Sequence, residues 1–276
     1  MVHRMDSQYE EMEWLIILIE EIREYHPTMG VRDLYYKIRP TCMGRDAFER
    51  FCMYENLMAR RARNRCRTTD SSGVHRYDNL LVNLIIDHKN QVWQSDITYF
   101  EVSGAFYYIT FIIDAYTRYI VGYSVSKTLK TEDTTIPALK MAISNRRGEN
   151  LEGLIFHSDG GGQYYSRMFI ELTSRHGILN SMCVEPWENG KAERINGVIK
   201  NNYLIYRSIK TYDDLVKEVD RAVRLYNTDK PHIKLKRLTP FEFEKSLSLQ
   251  SEKNKDKTDE FGFRKDRQRT EVVCLT

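Results

Sequence analysis

Cysteine is scarce in this chain, and the few residues present are not arranged to act together. Cys42, Cys52, Cys66, Cys183 and Cys274 are scattered, odd in number and never spaced C-x-x-C. Structural zinc sites and disulfide frameworks need grouped thiols, so both are read out and free thiols in a reducing compartment are expected. Long apolar runs are missing too. A membrane span needs about 20 apolar residues; the apolar stretch 14–19 has acids on both sides and reads as one helix face. No basic-then-apolar signal opens the sequence, so a cytoplasmic protein is expected. Gly160-Gly161-Gly162 lacks the Lys-Ser/Thr that would follow in a nucleotide-binding loop.

The chain has 276 residues, 41% hydrophobic and 29% charged, which suffices for one catalytic-sized core with smaller flanking pieces. The net charge of +3 is unevenly spread. Residues 1–90 carry 14 basic and 14 acidic side chains, residues 91–193 carry 9 and 12, and residues 194–276 carry 19 and 13. An acidic middle beside a basic end suits a nucleic-acid-binding protein with a metal-holding centre, and also many proteins that are neither.

Periodicity divides the chain further. Residues 9–25, 31–38 and 45–58 read as three helices, fitting a helix-turn-helix or a plain helical bundle equally, since no residue marks a recognition helix. Arg60, Arg61, Arg63, Arg65 and Arg67 follow with no acid between them, as a solvated linker or as a phosphate-contacting arm. Ser71-Ser72-Gly73 marks a joint. Strands are expected at 92–102, 105–116 and 119–125, then a helix at 131–147, a strand at 154–157, a helix at 167–176 with Gly177 as C-cap, a strand at 178–183 and a helix at 189–205. The order β-β-β-α-β-α-β-α predicts a mixed sheet flanked by helices. A further helix covers 212–226. The expected division is an N-terminal helical segment at 1–66, a linker at 67–90, a core with C-terminal helices at 91–245 and a polar, disordered tail at 246–276.

Three acids stand out. Asp96 lies among β-formers on the first strand, where a charge is costly unless paired. Asp159 ends the fourth strand and would neighbour Asp96 if those strands pair; the glycines after it permit close approach. Glu193 shares a helix face with Asn189, Asn196 and Lys200, at spacings of three and four. Two-metal phosphoryl transfer needs carboxylates gathered from distant elements, and magnesium takes two or three of them and keeps waters. Each acid also has an ordinary reading, as a strand-edge, turn or solvated-helix residue. Asp114 competes but reads as supporting a turn or pairing with Arg118, and Glu185 and Glu188 as N-terminal acids of the helix that follows.

Residues 91–99 (Gln-Val-Trp-Gln-Ser-Asp-Ile-Thr-Tyr), His157-Ser158-Asp159 with Gln163-Tyr164, and Glu188-Asn189 followed by Ala192-Glu193-Arg194-Ile195-Asn196-Gly197 resemble the retroviral-integrase-like transposases of bacterial insertion sequences. More narrowly, they resemble the group whose catalytic protein is encoded by the second of two overlapping frames. Residues 113–118, Val121-Gly122 and Thr239-Pro240 carry it further, over about residues 29–245. It implies a ribonuclease-H-like, five-stranded mixed α/β core with a small N-terminal helical domain, its helix-turn-helix-like part at 29–63. Asp96, Asp159 and Glu193 would be both catalytic and metal ligands. Two Mg2+ ions per site are implied, with Mn2+ able to substitute. The implied reaction is cleavage at an element's ends to free a 3′-hydroxyl, then its transfer to a new phosphodiester. DNA contacts are expected from Asn189, Lys191, Arg194, Asn196, Lys200, Arg61 and Arg63. The implied partners are transposon ends and target DNA, further copies of the chain on DNA, and a first-frame protein supplying end recognition; no membrane is implied. The implied setting is the bacterial nucleoid in the cytoplasm. One departure stands: the interval Gly160 to Ala192, 33 residues, is slightly short for the family. It leaves an inactive or domesticated DNA-binding copy as the alternative.

Overall fold

The computed structural model describes residues 2–59, 77–183 and 185–249. Helices α1 (Val2–Tyr25), α2 (Val31–Ile38) and α3 (Arg45–Tyr54) come first. Strands β1 (Val92–Val102), β2 (Ala105–Asp114) and β3 (Ile120–Ser126) follow, then α4 (Thr135–Asn145), β4 (Ile155–Ser158), α5 (Arg167–Arg175), β5 (Leu179–Met182), α6 (Gly190–Asn202) and α7 (Tyr212–Thr228). Residues 240–249 form a last helix, α8, whose start is boxed by Thr239 and Glu242.

The sheet runs β3-β2-β1-β4-β5. The first three strands are an antiparallel meander, and β4 and β5 add in parallel on the far side of β1. The predicted mixed five-stranded sheet is present, with β1 at its centre. Its strands alternate, as a period of two requires. Ile109, Phe111 and Ile113 point into a core with Ile195 and Ile199 of α6 and Leu215, Val219 and Val223 of α7. Trp93, Ile112 and Phe156 point the other way, to Leu139 and Ala142 of α4 and Phe169 of α5. Gly122 lets α4 lie directly on β3: a Cβ there would sit 2.3 Å from the Ala138 carbonyl oxygen.

Several ends differ from the sequence expectation, each for a local reason. The second strand stops at Asp114 because its carboxylate takes the N–H groups of Tyr116 and Thr117 and turns the chain. The third helix stops at Tyr54, where Asn56 is left-handed at φ 57° and the Leu57 N–H returns to the Cys52 carbonyl. Residues 131–134 are turns, held by Thr134 Oγ1 donating to the Lys130 carbonyl. Part of the expected linker is packed on the sheet, since Leu80 N–H donates to Ser181 Oγ at 2.9 Å. Residues 60–76, with Arg61 and Arg63, and the tail from 250 lie outside the described residues.

The N-terminal helices have their own core, Leu15, Ile19, Leu34, Phe48 and Cys52. They dock on the end of α7: Lys37 Nζ donates to Asp229, His26 meets Asp229 and Tyr203 OH, and Arg237 pairs with Asp33. Among the described residues, no helix is long and apolar enough to cross a membrane.

Candidate active site

β1 carries Asp96 and β4 delivers Asp159. Their parallel register ends at Ser95 opposite Ser158, so the next residue is Asp96 within β1 and Asp159 just past the end of β4. Even-numbered side chains of β1 face α6. Asn196 Nδ2 donates to Asp96 Oδ2 at 2.7 Å, and Lys200 Nζ donates to Thr98 Oγ1 at 3.0 Å. Gln94 Nε2 reaches the Glu188 carbonyl at 3.2 Å, and Asn189 Nδ2 reaches the Ser95 carbonyl at 2.8 Å. The face that periodicity picked on α6 is therefore laid along β1, pinning the helix beside Asp96.

Burial pushes the Asp96 carboxyl up to about 7, with the nearby charges of Asp159 and then Glu193 adding to it. Burial also raises Asp159, whose Oδ1 accepts the Gly161 N–H. The Gly161 backbone lies so close that a Cβ would sit 3.0 Å from that oxygen. Glycine therefore brings a backbone N–H onto the carboxylate, where the sequence had suggested room for a backbone or a ligand. Beneath the aspartates lies Tyr164, fully buried, its hydroxyl 2.9 Å from Ser95 Oγ.

Glu193, in the first turn of α6, is exposed. Its charge reaches Asp96, but among the described residues no three His, Cys, Asp or Glu side chains converge tightly enough to ligate one ion. Asp96 and Asp159 are brought together, and Glu193 stands at the rim. The two half-buried acids with raised carboxyls suit a hard cation: a divalent ion takes oxygen ligands and relieves like-charge repulsion.

The other expected site residues divide. Asn189 and Asn196, expected to contact DNA, are 2% and 6% exposed, and the Nδ2 of each donates to β1, which holds α6 in place. Lys200 is half-buried over the Tyr99 ring. Lys191 is half-buried and Arg194 is exposed. Asp114 is fully buried and closed by three backbone N–H donors, so it supports a turn. Glu185 and Glu188 form a capping box ahead of α6. The sequence reading missed Gln94, Ser95 and Tyr164 as positioning residues. The signal was present for Gln94 and Ser95, polar residues on a strand that proves central.

Residues 87–185 match the integrase core domain family, and residues 178–240 match a second integrase core domain family. The transposase of insertion sequence IS629 from Shigella sonnei is 28% identical over 240 residues, covering 85% of this chain and 80% of that one. A putative transposase of IS986/IS6110 from Mycobacterium tuberculosis is 35% identical over 120 residues, 42% of this chain and 43% of that one. Among solved structures, the HTLV-2 integrase catalytic core domain in complex with magnesium covers 56% of this chain and 95% of that chain. Its sequence identity is 24% and its TM-score 0.45.

Proposed function

We propose a reaction for this chain, which belongs to the integrase-core transposases of insertion sequences: it cuts the ends of its element and joins them to new DNA. Water would attack the phosphodiester at the element's 3′ end, breaking the P–O bond and leaving a 3′-hydroxyl. That hydroxyl would then attack a target phosphodiester, forming a new P–O bond and expelling a target 3′-hydroxyl. The observation that carries this reading is Asp96 and Asp159, side by side on parallel strands with raised carboxyls.

Asp96, Asp159 and Glu193 are the proposed catalytic and metal-holding residues. Two Mg2+ ions, or Mn2+ in their place, would activate the attacking oxygen and stabilise the leaving one. Asn196 would hold one Asp96 oxygen in place as the carboxylate takes its ligand. Glu193, at the rim in the first turn of α6, would complete the set. Lys191, Arg194 and Lys200, with Arg61 and Arg63, are proposed to hold DNA phosphates. Assembly of several copies on paired ends, a first-frame partner and a place at the bacterial nucleoid belong to the same reading. So does the division of the chain into a helical segment, a linker, a core and a tail.

The test uses purified full chain, oligonucleotides bearing the element's ends, and Mg2+ or Mn2+. Nicking and joining are expected, with loss on Asp96→Asn and DNA binding retained. Activity that survives loss of all three carboxylates would overturn the reading. A second reading, a DNA-binding copy that does not cut, is favoured by the rim position of Glu193. It predicts binding to authentic ends with no metal-dependent cleavage by the folded wild type.

A further inference from the structure

A second cluster of charge gathers at the other end of β1, and it is basic. It draws on four separate pieces of chain: Arg118 in the β2–β3 turn, Lys191 and Arg194 in α6, Lys230 and His232 after α7, and Arg237 in the turn beyond. These groups are near enough for Arg118 to feel Arg194, Lys191 to feel Arg118, and Lys230 to feel both Arg194 and Arg237. Arg237 is paired with Asp33 of α2 and stacked over Tyr36. The others lack that relief: among the described residues, no carboxylate lies within ion-pair distance of Arg118, Lys191, Arg194 or Lys230. The acids they feel are already engaged: Asp114, felt by Arg118 and Lys191, is closed by three backbone N–H groups, and Asp33, felt by Lys230, is paired with Arg237. His232 stands against Tyr226, ring centroids 4.7 Å apart, with a buried Nε2 that has no partner among the described residues.

Like charges held together and partly desolvated destabilise a fold unless an anion joins them. Burial lowers the pKa of Arg118 and Lys230 and pushes His232 down to about 3, with cationic neighbours contributing. His232 is thus a neutral imidazole, able to present one N–H to an oxyanion. Lys191 lies about 160° around α6 from Glu193 at 100° per residue. Lys191 and Glu193 therefore occupy opposite flanks of one helix, with Arg194 about 60° from Lys191 and about 100° from Glu193. Asp114, at the cationic end, pairs with Trp93, three residues from Asp96. At about 3.3 Å per residue that is roughly 10 Å, or about three nucleotides along one DNA strand.

We propose that Arg118, Lys191, Arg194, Lys230 and His232 form a pocket for a DNA backbone phosphate, a few nucleotides from the scissile bond and beside the docked N-terminal helices. The proposal rests on the transposase reading for its choice of anion. A phosphate there would touch the β2–β3 turn, α6 and the segment after α7 at once, so DNA would clamp α6 between its two charged flanks.

The experiment measures binding of the full chain to a labelled end duplex by anisotropy across a salt series, with divalent ions chelated so that nothing is cut. Arg118→Gln/Lys230→Gln should flatten the slope of log K against log salt by about 1, since one phosphate contact is lost. It should also weaken binding about tenfold or more at physiological salt. Arg118→Lys should restore most of the slope, and removing repelling cations should leave the melting temperature at or above wild type. A double variant that keeps the wild-type slope overturns the proposal. So does an unchanged slope alongside inorganic phosphate that raises the melting temperature of wild type more than that of the variant, since the pocket would then take free phosphate. If wild type binds the duplex and cuts it with metal while the slope is unchanged, only the pocket fails. If wild type neither binds nor cuts, the transposase reading falls and takes the pocket with it.

Discussion

Asp96 and Asp114 sit on neighbouring strands of one sheet, and burial raises the carboxyl of both. Their surroundings differ completely. Asp114 is wrapped by the N–H groups of Asn90, Tyr116 and Thr117, with the Arg146 cation nearby. Asp96 receives two donors, the Ile97 backbone N–H and the Asn196 amide, and faces the charges of Asp159 and Glu193 with no cation beside it among the described residues. A structural acid is closed by donors. The acid proposed for chemistry is left facing its like, and the resulting repulsion can be relieved by a cation. Asp229 completes the series. It is bound by His26 and Lys37, and its carboxyl is held down at about 2, first by the His26 hydrogen bond.

The sharpest break of this contrast is a pair of substitutions with opposite consequences. Asp96→Asn should cut metal-dependent cleavage by about 10³-fold or more, since a metal supplies several kcal/mol of barrier lowering. Its melting temperature should match or exceed wild type, because one of three repelling acids becomes neutral. Asp114→Ala should do the reverse to stability and strand three N–H groups, costing about 3 kcal/mol or more by denaturant titration. If both variants lost activity and stability in equal measure, the distinction would fail.

A second comparison pits a paired charge against an open one. Arg146 and Glu244 form a two-point bond at 2.7 and 2.5 Å, with side chains only 6% and 12% exposed, tying α8 to the core. Glu244→Ala leaves a buried guanidinium with only the more distant Glu149 carboxylate, at 3.9 Å, and should cost about 3 kcal/mol. Gly122→Ala tests packing without charge. Its Cβ would meet helix backbone that cannot swing aside, so a loss of about 1–3 kcal/mol in unfolding free energy is expected. The smallest effect is in pH. The folded-state pKa of Asp229 lies below its unfolded value, so its contribution is present above about pH 4 and fades as pH falls toward about 2. The melting-temperature gap between wild type and Asp229→Asn should close over that interval, and a gap that widened on acidification would reverse the assignment.

Much of this was legible in the sequence. The near-continuous β-forming run over 105–116 and the three-four spacing from 189 reflect local geometry, and both elements formed there with shorter bounds, Ala105–Asp114 and Gly190–Asn202. Asp96 and Asp159 were readable because a charge at the heart or the end of a strand needs a reason. The fates of Asn189 and Asn196 were not. The same spacing describes an outward polar face and one docked on a strand, and only the partner strand distinguishes them. The basic pocket was equally hidden, because Arg118, Arg194 and Lys230 are remote in sequence and no periodicity joins them.

The sequence alone determined the order of strands and helices, the identity of the acids and the resemblance carried by their motifs, since these depend on side-chain period and local turn chemistry. Tertiary structure decided the rest. Parallel pairing of β1 with β4 made neighbours of Asp96 and Asp159, and the docking of α6 turned two amides inward and left Glu193 at the rim. Those outcomes depend on contacts between distant segments, fixed by which apolar faces can be buried together.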